Sequence, residues 1–291
     1  MPSGLTRLEI AEWYLLAVGG VLILGTMLRL SLTGRWADVL SLPAGPAHDL
    51  QPVDLLVGLA AAVMLPSLFY QLLSGWDPSS PATQPTGAAA ESPTANPIQI
   101  VSAALGQLVT AGLIMTIAGR RFAGGLRGWG LRAAGAIANC GKALAAYVAI
   151  WPLCFGVLHL TVYLLQLARP GFEPPEHFTI RALLSGETAV WQRVALIASA
   201  LVLAPLVEEF LFRGLLQPAL TAWSRRPWLV IVVCGAAFGL FHHPLTHVEP
   251  ALTVFGVFLG FLYAKTGSLT LVILTHAIFN GKTLLWLAVS C

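Results

Sequence analysis

The sequence predicts an all-α, polytopic membrane protein with about eight transmembrane helices. Two observations predict it. The 291 residues are 57% hydrophobic and only 10% charged, with a mean hydropathy of +0.78. A soluble domain carries about 25% charged residues. Apolar runs of membrane-spanning length also recur along the whole chain. The small net charge of +3 gives no basis for binding nucleic acid, so membrane lipid is the expected surrounding. Four cysteines, Cys140, Cys154, Cys234 and Cys291, show no metal-ligand or disulfide spacing.

The runs follow in order. The first, near 11–32, is as long as a spanning helix and has no small-residue cleavage site after it. It reads as a transmembrane helix rather than a signal peptide. The second is near 53–74. Residues 75–98 form a Pro/Ser/Thr/Ala linker without Lys or Arg, expected to be disordered. The third run is near 98–119. Residues 120–139 are rich in Arg and Gly and are expected to lie along the membrane surface as a basic amphipathic segment. The fourth is near 140–168. The fifth, 189–223, is too long for one simple span and must tilt, kink or protrude. The sixth and seventh, 228–243 and 249–265, are short, and the eighth is near 269–290. The chain thus divides into N-terminal helices (1–74), the linker (75–98), two further helices with the basic segment (99–188), and a C-terminal helical core (189–291).

Basic residues set the expected orientation. With the N-terminus outside, the inner loops hold Arg29, Arg35, Arg120, Arg121, Arg127, Arg132, Lys142, Arg213, Arg225, Arg226 and Lys265. The outer side holds Arg7, Arg169, Arg181, Arg193 and Lys282. Eleven against five puts both termini on the non-cytoplasmic side.

The C-terminal core breaks the rule that ionisable groups avoid the bilayer, and such groups are usually functional. Glu208 and Glu209 sit in the fifth run, His242 at the end of the sixth, and His276 and Asn280 in the eighth. Glu208 lies 16 residues before Ser224, about 24 Å along a helix, and His242 lies 15 after Pro227, about 22 Å. A hairpin therefore brings them to similar depth. His276 and Asn280 lie about 12 and 18 Å past the turn at Lys265–Ser268 and share a face at i, i+4. Arg213 is i+4 to Glu209, about 40° around the helix, and about 140° from Glu208. Glu209 and Arg213 can pair and neutralise each other, which leaves Glu208 free as a general base. His242 and His276 can orient a water, bind an oxyanion or ligate a metal. Asn280 can donate to an oxyanion or hold a substrate carbonyl. The chemistry that fits is attack of a Glu-activated water on an amide.

Three motifs carry a resemblance: Glu208-Glu209-Phe210-Leu211-Phe212-Arg213, then Phe238-Gly239-Leu240-Phe241-His242, then His276-Ala277-Ile278-Phe279-Asn280. They resemble the CAAX protease and bacteriocin-processing family of intramembrane endopeptidases over about residues 190–285. The resemblance implies a helical membrane core and endopeptidase chemistry, with Glu208 activating water among Glu209, His242, His276 and Asn280, and Arg213 and Phe238 in support. It implies a peptide or protein substrate cut near its C-terminus or at a membrane, which some relatives take in lipid-modified form. It permits a divalent metal such as zinc, held by His242, His276 and Glu208, without requiring one. The alternatives are a non-catalytic protein of the same fold, with an immunity or scaffold role, and a proton-coupled transporter.

Other features have plainer readings. His243, His247 and Glu249 resemble a second metal cluster, but Pro244 breaks the helix there and a loop at the membrane edge accounts for them. Gly235 with Gly239, and Gly256 with Gly260, have the spacing of close helix packing. Phe241 and Phe279 read as lining or core. Trp228 and Trp286 fit an interfacial belt.

Overall fold

The computed structural model describes residues 7–75, 96–132, 136–175, 178–185 and 188–290. Most of the linker expected at 75–98 lies outside them. The helices are α1 (Arg7–Thr33), α2 (Trp36–Leu40), α3 (Pro52–Ser74), α4 (Pro97–Arg121), α5 (Gly125–Gly128), α6 (Ala136–Ala168), α7 (Phe178–Leu184), α8 (Val190–Ser224), α9 (Pro227–Leu240), α10 (Glu249–Thr266) and α11 (Leu269–Ser290). The described residues form no strand, only an isolated bridge between His48 and Phe122. The protein is all-α and polytopic. Each of the eight apolar runs is a helix, but among the described residues six, α1, α3, α4, α6, α8 and α11, are long and apolar enough to cross a membrane by length and composition. α9 is shorter.

Local chemistry starts and stops these helices. Pro52 opens α3, where Gln51 N donates to Asp54 Oδ2 at 2.7 Å. Pro97 opens α4, where Asn96 Oδ1 accepts from Ile98 N at 2.9 Å. Gly267, at φ +58°, closes α10 in the left-handed conformation that lacks of a Cβ makes easy.

The length of α8 is accommodated by widening. Its turns open to the wider π form at Ser199–Leu203 and again at Phe210–Leu216, on either side of the regular stretch Ala204–Glu209. Such bulges concentrate at functional sites. α9 and α10 form a tight antiparallel pair. A Cβ on Gly235 would lie 2.6 Å from Val257 N, and one on Gly256 would lie 2.9 Å from Gly235 O. The glycine spacing therefore does serve close packing.

The segment expected along the surface behaves differently. Between Arg121 and Leu131 only Gly125–Gly128 is helical, and Trp129 plunges into the core, fully buried. Its Nε1 donates to Gly214 O at 2.8 Å, its ring meets Phe210 at 4.6 Å, and its carbonyl accepts from Tyr263 Oη at 3.1 Å. Burial of about 150–250 Å² of indole contributes about 4–6 kcal/mol. That outweighs any gain from lying at the interface.

The turns after α8 and after α10 lie at one end of the bundle, since Thr221, Pro227, Tyr263 and Gly267 line one cavity there. Glu12 and Lys282 pair at 2.6 Å, which sets the start of α1 beside the end of α11. Arg213 does not belong among the loop cations, because it is fully buried inside the bundle.

Candidate active site

Glu208 and Glu209 end the regular stretch of α8, immediately before its second wide turn. Arg213 lies within that turn. Arg213 Nη1 donates to Glu209 Oε1 at 2.8 Å, with both side chains fully buried. Its Nη2 donates to Gly256 O at 2.8 Å, and its guanidinium lies 4.7 Å from the centre of the Phe238 ring. A buried ion pair is tolerated only when its charges are matched and further hydrogen-bonded; here α10 and the Phe238 face add contacts, while Arg213 Nε and Glu209 Oε2 have no hydrogen-bond partner among the described residues.

His276, on α11, is 3% exposed and stands between the two carboxylates. Its Nδ1 lies 2.8 Å from Glu209 Oε1, and its Nε2 lies 3.8 Å from Glu208 Oε2. Glu209 is held as a carboxylate by Arg213 and can only accept, so Nδ1 carries the hydrogen. Nε2 is the other ring nitrogen, and it faces Glu208. At 3.8 Å the two atoms do not bond directly. Among the described residues Glu208 Oε2 has no hydrogen-bond partner, although it is shielded from solvent. One carboxylate is thus structural and the other unengaged.

His242 lies in the turn just past the end of α9, which stops at Leu240 rather than running through 243. Its Nδ1 faces Phe238 O at 2.9 Å. A carbonyl only accepts, so Nδ1 is the protonated nitrogen and Nε2 is left available. The Phe238 ring lies 5.2 Å from the His242 ring and 5.5 Å, edge to face, from the His276 ring. Phe238 therefore packs against both imidazoles and the Arg213 guanidinium. His243 turns away to Glu249 Oε1 at 3.0 Å and is exposed. His242 is therefore the member of the doublet that faces inward.

Asn280 is brought to a different neighbour. Its Nδ2 donates to Ala200 O at 2.9 Å, inside the first wide turn of α8. One of its two N–H groups ties α11 to α8, and the other has no hydrogen-bond partner among the described residues. Among the described residues no group of three or more His, Cys, Asp or Glu is arranged to hold a metal ion. His242, His276 and Glu208 therefore do not fit a metal as they stand, nor do His243, His247 and Glu249, and no step below passes through one.

Supporting residues were missed in the sequence. Gln217, four past Arg213, donates Nε2 to Gly260 O at 2.9 Å. It repeats one turn later the bond from Arg213 to Gly256, and the i, i+4 extension of the glutamate–arginine motif was the readable signal. Ser199 Oγ donates to Gln107 Oε1 at 2.9 Å, fastening the first wide turn to α4. Nothing local marks Gln107 for that contact.

These elements define an all-helical membrane protein with two carboxylates and an imidazole gathered inside its bundle. Residues 189–281 match the Rce1-like family, described as type II CAAX prenyl endopeptidase Rce1-like. That is the grouping the three motifs resemble, and the match covers about a third of the chain. α1 to α7 lie outside the matched segment. No curated protein matches the chain, and no solved structure matches it.

Proposed function

We propose that the protein is an intramembrane endopeptidase in which Glu208 activates a water for attack on a peptide bond. One observation carries this reading: His276 stands between an engaged carboxylate and an unengaged one, with Nδ1 on Glu209 and Nε2 toward Glu208. A water lying against Glu208 Oε2 and His276 Nε2 gives a proton to Glu208 as its oxygen bonds to the amide carbon. The remaining N–H of Asn280 donates to the oxyanion, and His242 Nε2 accepts from and orients the water. The proton on Glu208 then passes to the leaving nitrogen as the C–N bond breaks. The products are a carboxylic acid and an amine, so one water is consumed and no redox partner is needed.

The substrate is a peptide or protein cut near its C-terminus or beside the membrane. An apolar groove of about 440 Å³ between α3, α8 and α9, with Phe212 and Phe241 in its wall, supports a lipid-modified substrate. Phe212 packs on Phe238 and Phe241, so the groove runs up to the site. Both termini are assigned to the non-cytoplasmic side, because ten of the eleven cations counted for the inner side remain after Arg213 is removed.

The test is cleavage by the purified chain in liposomes. Prenylated and unprenylated peptides of one sequence are each offered to wild type, Glu208→Gln and His276→Ala. Cleavage by wild type and its loss in both variants, with insertion and folding intact, supports the reading. Cleavage that survives both changes overturns it. Equal rates on the two peptides would remove the lipid-modified substrate alone.

A further inference from the structure

At the turn end of the bundle lies a cavity of about 570 Å³, separate from the carboxylates. Its wall includes Arg132, Gln217, Thr221, Tyr263 and Lys265. Lys265 Nζ donates to the carbonyls of Asp38 (2.7 Å) and Ser41, which holds the chain after α2 over the cavity. Arg132 is exposed at the rim and has no ion-pair partner among the described residues. Gln217 is 4% exposed. Its Nε2 is committed to Gly260 O, and its Oε1 has no hydrogen-bond partner among the described residues. The wall also takes in Pro227, the first residue of the 14-residue α9, whose positive dipole end favours an anion.

The surroundings have one sign. Arg132 and Lys265 are the cations in the cavity wall, and among the described residues no Asp or Glu lines it. Arg35 pairs with Asp38, and Arg121 with Asp49 and Asp54. Arg132 has no ion-pair partner among the described residues, and Lys265 bonds carbonyls rather than a carboxylate. An anion alone does not satisfy the wall, because Gln217 Oε1 can only accept. The complementary ligand carries a negative phosphate for Arg132 and Lys265 and a hydroxyl or ammonium hydrogen for Gln217.

We propose that this cavity binds a phosphate-bearing polar headgroup with a hydrogen-bond donor, supplied by a phospholipid of the surrounding leaflet. The level fits: it lies where α8 and α10 end and α9 begins, and basic pockets between helices take anionic headgroups there. Phosphatidylglycerol meets both demands. Phosphatidylcholine offers the phosphate without the donor. Glycerol 3-phosphate and inorganic phosphate offer the headgroup chemistry without the chains. This site is independent of the proteolytic reading.

Native mass spectrometry of the full chain tests it, with lipid exchanged from nanodiscs of mixed composition. The expected result is retention of phosphatidylglycerol roughly tenfold to thirtyfold over phosphatidylcholine, the worth of two interfacial cations. Arg132→Gln should lower that preference about fivefold, and Gln217→Met should lower it with the charge unchanged. Lys265→Gln risks loosening the loop, so the first two variants decide the matter. Equal retention of the two lipids overturns the proposal, as does a preference untouched by both Arg132→Gln and Gln217→Met. Competition by inorganic phosphate at equal concentration would overturn the lipid source.

Discussion

His276 Nδ1 lies 2.8 Å from Glu209 Oε1, the same oxygen that accepts from Arg213 Nη1 at 2.8 Å. One buried atom therefore links the ion pair of α8 to the imidazole of α11. It makes Glu209 a positioning residue and directs the other imidazole nitrogen at Glu208.

Removing one member of the buried pair leaves an uncompensated charge. Glu209→Gln is expected to destabilise the protein by about 3–5 kcal/mol, read as unfolding in detergent. The double change Glu209→Leu, Arg213→Leu should recover most of that loss and no activity, because His276 still lacks its Nδ1 partner. A double variant no more stable than the single one would show that charge is not what matters there.

Glu208 behaves in the opposite way. Its Oε2 has no hydrogen-bond partner among the described residues, so Glu208→Gln should leave the unfolding midpoint within the roughly 0.5 kcal/mol range of a neutral change. Peptide cleavage should fall by about 10²- to 10⁴-fold, the contribution of a general base. A large stability loss would place Glu208 in the framework instead.

Asn280 separates by the sign of its replacement. Asn280→Ala loses one hydrogen bond to Ala200 O and should cost about 1 kcal/mol. Asn280→Asp turns a carboxylate on that carbonyl and should cost more. Thermal unfolding of the two proteins, ranked Asp below Ala, is the expected outcome.

Gly214 tests the Trp129 plug. A Cβ there would lie 2.4 Å from the indole Cζ2, so Gly214→Ala should destabilise by about 1–3 kcal/mol through overpacking. Adding Trp129→Phe removes the clashing ring edge and should return part of the loss. Two strictly additive losses would contradict the contact.

His247, in the loop after α9, is buried, and burial holds its pKa below the usual 6.5. The unfolded chain therefore binds a proton more readily than the folded one. This contribution to stability is present above about pH 6.5 and is lost as the pH falls below it. His247→Gln should flatten the fall in stability between neutral and mildly acid pH, measured by unfolding across that range.

Much of the fold was legible because it is local. Apolar length fixed where Val190–Ser224 and Leu269–Ser290 run as helices, and the i, i+4 interval brought Arg213 to Glu209. Helix ends were less legible. α9 stops at Leu240, so His242 sits in a turn rather than on the helix. Trp129 was not legible as a core residue, because nothing near it in sequence reports Gly214 and Tyr263, its partners across the bundle.

The sequence by itself determined a helical membrane protein with Glu208, Glu209, His242, His276 and Asn280 in its C-terminal core, since hydropathy and helical period act over a few residues. Tertiary structure alone decided which carboxylate His276 grips, that Asn280 ties itself to Ala200, and that Gln217 is left with a free acceptor. Those outcomes depend on the rotation of each helix against its neighbours. The wide turns at Ser199–Leu203 and Phe210–Leu216 shift that rotation in α8 away from any regular count of residues.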